Sequence, residues 1–316
     1  MIRRRAALAV TAGWALSLAG CPPPCPPRHV PLSVLAAEYN ANAARVDRLW
    51  ARAKVRLTLR GESGLSFSWG STSPLAPPNA QLRLWKEGGG PANFVLVGRE
   101  IAELFRVGID AGNGLYYVWY RMGDGGQAWV GRTALAGAPG VRDVPIDPLQ
   151  LVEVLGVTAL PVQPGKLPTV VMTLEDDPCA YVVRYLKPQP VSGKLKVWRE
   201  VWFRWDGRRP RRPYRVRLFD PAGRCRVTAD VAGYKPIEWD GPETDAPVMA
   251  TDFRLRWLPI PSVQGAAKMH VTISGMSTTR PFKKAFFDFP SHLPAGVSPA
   301  QVDAAYGRAD NKHKSP

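Results

Sequence analysis

The chain has 316 residues with a formal charge of +16 at pH 7, and it contains four cysteines and four histidines. The length exceeds the usual single-domain size, yet one large β-rich domain can reach it, so a single domain is the default. The positive excess says nothing about fold and favours anionic partners: lipid headgroups, surface polysaccharide or nucleic acid.

Met1-Ile2-Arg3-Arg4-Arg5 is followed by an uncharged run from Ala6 to Gly20, the layout of a secretory signal and too short for a comfortable membrane span. Residues 1–20 are therefore expected to direct export, which removes nucleic acid as a partner. Leu18-Ala19-Gly20-Cys21 resembles the lipobox of bacterial lipoproteins. That resemblance implies cleavage before Cys21 and acylation of Cys21, and several acyl chains together hold a protein on a bilayer almost permanently. Pro22 follows Cys21 in place of the Asp that retains such proteins in the inner membrane, so the resemblance implies an outer-membrane anchor facing the periplasm. Residues 21–31 read as a Pro-rich tether that cannot be helical. Three consecutive prolines keep Cys25 ~12 Å from Cys21 along a polyproline II path, too far for a bridge between them. Cys179 and Cys225 remain, either as a disulfide if their strands are neighbours or as two separate buried thiols.

From Leu32 the apolar residues Leu32, Leu35, Tyr39, Ala43, Val46 and Leu49 recur at three- and four-residue steps, which predicts an amphipathic helix of about twenty residues. Its role is to plug a core. The period then drops to two: Val55, Leu57 and Leu59 alternate with charged residues, and Leu65, Phe67 and Trp69 with small ones, an antiparallel hairpin. Further strands are predicted around Leu82–Leu84, Phe94–Val97, Val107–Ile109, Leu115–Arg121 and Gln127–Arg132, separated by glycine-rich turns. Asp147-Pro148-Leu149-Gln150 reads as the start of a short second helix, with Asp147 at the N-cap, Pro148 at the first position and Gln150 reaching back as in a capping box. Seven more strands follow between Thr169 and Gly275. In one of them Trp198 and Trp202 share one face, and Val197, Val201, Phe203 and Trp205 the other. Both faces look apolar, as in a strand covered on each side. Residues 298–316 turn polar and are expected to be a disordered tail.

A dozen half-apolar strands expose more hydrocarbon than two helices hide, so the sheet either closes on itself or leaves a cavity. The order of elements from Leu32 to Gly275, with Leu115-Tyr116-Tyr117-Val118-Trp119-Tyr120, the helix after Pro145-Ile146-Asp147-Pro148, and Arg217-Leu218-Phe219-Asp220-Pro221, resembles the lipoprotein-localisation carrier and receptor family (LolA and LolB) and the related mycobacterial lipid-binding lipoproteins. The resemblance implies a mainly β fold with two or three helices: a large antiparallel incomplete β-barrel over residues 32–297, with helices on its concave face. It also implies a cavity for an acyl chain of a lipid or lipoprotein. In the family's receptor, a loop between the third and fourth strands presents an apolar residue to the membrane. Here the matching Lys86–Asn93 loop is glycine-rich and has none.

Leu57, Leu59, Phe67, Trp69, Leu84 and Trp119 are the residues expected by alternation to line that cavity. Arg208, Arg209, Arg211 and Arg212 fall between two strands and are candidates for contact with anionic lipid or polysaccharide. No nucleophile elbow, zinc-protease helix, P-loop or dinucleotide fingerprint occurs, and the histidines fall at solvated positions. A binding protein without cofactor or metal is expected, not an enzyme. The alternative is a structural envelope lipoprotein, its interior packed solid, whose basic face binds an anionic polymer.

Overall fold

The computed structural model describes residues 25, 30–60, 66–69, 79–88, 90–99, 103–122, 125–138, 141, 144, 146–162, 168–176, 179–189, 193–205, 211–258 and 267–304, and the backbone alone at 59, 60, 66–69, 122, 125 and 267. Residues 1–20, the expected export signal, together with Cys21, Arg208, Arg209 and residues 305–316, lie outside the described residues. In chain order come α1 (Leu32–Ala44), β1 (Arg48–Arg60), β2 (Ser66–Trp69), β3 (Asn79–Lys86), β4 (Ala92–Arg99), β5 (Glu103–Asp110), β6 (Leu115–Met122), β7 (Gly125–Arg132) and α2 (Pro148–Leu155). They are followed by β8 (Thr169–Asp176), β9 (Cys179–Pro188), β10 (Leu195–Arg204), β11 (Pro213–Phe219), β12 (Cys225–Ala232), the short pair β13 (Lys235–Pro236) and β14 (Val248–Met249), β15 (Asp252–Trp257), β16 (Ala267–Ser277) and β17 (Ala300–Gln301).

Fifteen of these strands form one sheet in the order β17-β7-β6-β5-β4-β3-β1-β16-β15-β12-β11-β10-β9-β8, with β2 on the side of β1. Two antiparallel meanders, β3 to β7 and β8 to β16, are each built from hairpins and short connections. They are joined because β1 pairs with β3 on one side and with β16 on the other. That joint is made by alternation on both strands: Val55 faces Val271 and Leu57 faces Met269, all buried, while Arg56 faces His270 on the solvent side. The edges β8 and β17 do not meet, so the sheet curls into an open half-barrel. Helices α1 and α2 lie on its concave face.

Helix α1 has 13 residues, not about twenty, because Leu49 pairs with Leu84 at the start of β1. Leu49 fits both a helical step from Val46 and the strand period of Ala51, Ala53 and Val55, and pairing with β3 decides between them. The side chains of α1 do more than plug. Asn40 exchanges two hydrogen bonds with the backbone of Leu160 (3.0 and 2.7 Å), and Asn42 does the same with Val248 (2.9 and 2.8 Å). Lys86 Nζ donates to the carbonyls of Ala43 (2.7 Å) and Val157 (3.0 Å), occupying the helix C-terminus.

The segment after β16 is not a tail. It runs over the convex face of β4 to β7, where Phe289 stacks on Tyr117 at 4.4 Å and Phe287 packs on Val95 and Val97. Ala300–Gln301 then adds to β7 as a parallel strand, and Val302 and Asp303 are buried. Residues 300–303 therefore belong to the folded domain, which corrects the tail expected from residue 298, while residues 305–316 lie outside the described residues. A short polar stretch joins a sheet through backbone bonds that composition does not show. Asp303 accepts from Arg132 N (3.2 Å) and Nε (2.8 Å). Burial pushes its carboxyl pKa up, but these donors outweigh it and hold the carboxyl below its ordinary value. The stabilisation is present above the ordinary carboxylate pKa and is lost as pH falls through the lower folded value. Asp303→Asn is thus expected to flatten the acid limb of a stability–pH profile below about pH 5, measured by denaturant midpoints, with little effect on its slope at neutral pH.

Cys179 is bonded to Cys25, with Cα atoms 5.6 Å apart, and Cys225 is a free thiol. The Cys179–Cys225 pairing is corrected on simple geometry: β10 and β11 separate their strands, and at about 4.8 Å per strand the gap is about 14 Å. The tether is therefore fastened to the domain, and Val30 N also donates to Tyr181 Oη at 3.1 Å. Because the bond closes a loop of 154 residues, Cys25→Ser or reduction is expected to cost about 2–5 kcal/mol in urea unfolding.

Candidate functional site

The concave face beneath α2 is the site the fold builds. Asp147 caps α2 by accepting from Leu149 N (2.8 Å), Pro148 occupies the first turn, and Gly156 closes it with φ 74°. Eight residues of helix are not stable alone in water. What holds α2 is burial of Leu151, Val152, Val154 and Leu155, worth about 1.5–3 kcal/mol each. Their bed is Leu82, Phe94, Leu96, Phe253, Leu255 and Val271, contributed by β3, β4, β15 and β16. A void of about 20 Å³ remains between helix and bed, room for one water molecule and no more.

Two polar contacts add to this. Glu153 of α2 forms an ion pair with Arg199, and Arg199 Nη2 also donates to the Glu153 carbonyl at 3.3 Å. Arg199 points inward with Val201 and Phe203, its side chain 2% exposed, and it lies near the ring of Tyr185 (5.7 Å). Burial pulls the guanidinium pKa down, but Glu153 and the neighbouring Tyr39 and Tyr185 more than offset this, so it stays charged. Burial pushes Tyr39 up to about 12, and Tyr185 rises for the same reason. Arg199 Nε and Tyr185 Oη are buried without a hydrogen-bond partner among the described residues. The second contact is Trp257 Nε1 donating to Gln150 Oε1 at 2.9 Å. Gln150 thus reaches out to β15, which corrects its expected role of reaching back to the helix start.

Beside α2, at the mouth of the half-barrel, an open cleft of about 470 Å³ lies between the β6–β7 side and the β11–β12 turn. Tyr116, Val144, Gln150, Phe219, Arg224 and Trp257 line it, a mixed polar and apolar wall. The opening is large enough for a ligand; the interior behind α2, as it stands, is not.

Of the residues expected to line a cavity, Leu57 and Leu84 are buried in the interior cluster. The side chains of Leu59, Phe67 and Trp69 lie outside the described residues, although β2 pairs with β1 through Leu57↔Trp69 and Leu59↔Phe67. Trp119 is a correction. It belongs with Tyr117 and Phe289 on the convex face, since Tyr116, Val118 and Tyr120 are the inward residues of β6. Arg211 is a second correction. It is buried and paired with Glu38 of α1 (3.4 Å), and its backbone N–H also donates to Glu38 (3.3 Å), so it holds the β10–β11 loop to the helix. Arg212 stands 5.8 Å from the ring of Tyr234, and burial lowers its pKa.

Sequence reasoning placed Trp198 with Trp202. A bulge between Val197 and Arg199 puts Trp198 instead against Tyr185 inside, while Trp202 stays outside and donates to Glu200 (3.2 Å). Arg199, on the C-terminal side of the bulge, keeps the alternation of Val201 and Phe203 and points inward with them. The signals for the polar cluster were an arginine among alternating apolar residues of β10 and a lone glutamate among the apolar residues of α2.

Among the described residues no group of His, Cys, Asp and Glu is arranged to hold a metal ion, and no helix is long and apolar enough to cross a membrane. No protein-family model and no curated protein matches the chain. Solved structures similar to it include a domain described as an outer membrane lipoprotein-sorting protein from Vibrio parahaemolyticus (12% identity, TM-score 0.44, 81% of this chain and 96% of that one). A DUF1329 family protein from Desulfovibrio piger is similar at 13% identity and TM-score 0.43 over 82% of this chain and 99% of that one. A LolA superfamily protein from Nitrosomonas europaea is similar at 14% identity and TM-score 0.40 over 83% of this chain and all of that one.

Proposed function

We propose that the chain is an exported envelope lipoprotein, acylated at Cys21 and held at the outer membrane facing the periplasm, which binds an acyl chain of a lipid or lipoprotein on the concave face under α2. It works as a binding protein without catalysis. The observation that carries the reading is the bed of α2: a wholly apolar surface under a short helix that cannot persist alone and is latched by two polar contacts, next to an open mouth. Helix α1 is sewn in by Asn40, Asn42 and Lys86 and stays. Lifting α2 exchanges its four apolar side chains for the ligand's methylenes, which at ~25 cal/mol per Å² keeps the net cost of the exchange small. Arg199 and Tyr185, with spare donors beneath the helix, would meet the ester or carboxyl end.

Native mass spectrometry of the protein extracted from membranes tests this: bound lipid is expected in addition to the mass of acylated Cys21, and Leu96→Trp, which fills the bed, should remove the bound lipid alone. Loosening the lid should speed uptake. Gln150→Ala removes a hydrogen bond worth about 1 kcal/mol, so a fluorescent fatty acid is expected to enter about fivefold faster in stopped-flow measurements; an unchanged rate would mean that α2 does not gate the site.

One observation favours a second reading. The void beneath α2 is small, and the convex face carries exposed Arg56, Arg254, Arg256 and Lys268. A structural lipoprotein binding an anionic polymer on that face would show no bound lipid and salt-sensitive retention on a polyanion column.

A further inference from the structure

The Cys25–Cys179 bond restricts how the domain can stand on a membrane. Cys25 follows Cys21 by four residues, a span of at most ~14 Å. Without the bond, the first buried point among the described residues is Val30, nine residues after Cys21, on a leash of ~30 Å. The bond thus cuts the leash to less than half and fixes its foot at the first residue of β9.

Several strands end at that foot. Arg204 at the end of β10 pairs with Ala180, Trp205 N donates to the Cys179 carbonyl at 3.2 Å, and Pro213 begins β11. The opposite ends of the same strands carry the mouth: Leu195 pairs with Pro188, next to Gln189, and β11 ends at Phe219, both of which line the cleft. The ten residues of β9 advance ~3.3 Å each, so the two ends are ~30 Å apart.

We propose that the Cys25–Cys179 bond stands the domain end-on against the bilayer that holds its lipid anchor, with the Cys179 end of β9 to β11 on the headgroups and the cleft ~30 Å farther out, facing the aqueous side. This rests on acylation of Cys21, proposed above. Exposed Arg204 at the lower end suits an anionic headgroup layer. The consequence is directional. A ligand enters the cleft from the water side, and not from the lipid directly beneath.

The test uses full-length acylated protein in vesicles of phosphatidylethanolamine and phosphatidylglycerol that carry an energy-transfer acceptor on their headgroups. A donor dye is placed at Arg204→Cys or at Leu195→Cys, the two ends of β10, each with Cys225→Ser. Transfer several-fold stronger from position 204 than from 195 is expected, and adding Cys25→Ser with Cys179→Ser should erase most of that difference. Equal transfer from both ends in the bridged protein, or stronger transfer from 195, overturns the proposal. Should the unbridged variants not fold, as circular dichroism would show, the bridged pair decides alone. The intact mass separates the two readings. A protein without acyl mass overturns both, whereas an acylated protein with equal transfer overturns only the orientation.

Discussion

Glu153→Ala is expected to destabilise the protein by about 3 kcal/mol, the lower end of the range for breaking a buried ion pair, because Glu153 keeps a side-chain exposure of 29% while Arg199 has 2%. The loss comes from stranding a guanidinium inside the half-barrel. Alanine is the best helix former, so propensity does not contribute. The double replacement Arg199→Met with Glu153→Leu removes both charges and should recover stability to within about 1 kcal/mol of the parent. Guanidinium midpoints at unchanged m-value would measure both effects. A single variant that costs under 1 kcal/mol, with no recovery in the double, would show that α2 is not held by this pair.

Phe289→Ala is expected to cost about 3–5 kcal/mol, the usual range for a buried phenylalanine. Its ring is 3% exposed and stacks at 4.4 Å on Tyr117, which is itself fully buried. Beneath it Trp119, Ala128 and Val130 complete a cluster on the convex face that no other described segment covers. The variant should therefore also bind a hydrophobic dye in the native baseline. Tyr117→Phe keeps the ring and loses the hydroxyl's hydrogen bonds, to the Phe287 carbonyl (3.2 Å) and with Arg106, and should cost about 1 kcal/mol for each. Equal losses from the two variants would mean that the stack is not what fastens the segment.

The mainly β architecture was legible because it rests on short-range pattern. Alternation in β1, β11 and β15 marked dry and wet faces, and Asp147, Pro148 and Gly156 marked the ends of α2 through backbone needs those residues meet locally. The candidate site was legible only in part. Leu57 and Leu84 follow from alternation, but Trp119 does not. In β6 both sets of alternate residues are apolar, so nothing local says which set faces the helices. The segment containing Phe287 and Phe289 answers that, from more than 160 residues away, as its contact with Tyr117 spans 170 residues. Trp198 turned on a bulge, whose extra residue takes it off the face that alternation shares with Trp202, whereas Arg199 follows from alternation with Val201 and Phe203.

The amino-acid order by itself determined the period of each segment, the caps of α2, and the charged, apolar and cysteine-bearing start of the chain, since each depends on neighbours within a few residues. Only the tertiary structure decided which faces are inside, that β1 closes against β16, that Cys25 rather than Cys225 reaches Cys179, and that Arg199 lies beneath α2. These depend on strands brought together from distant parts of the chain, where one bulge or one added strand changes what a side chain meets.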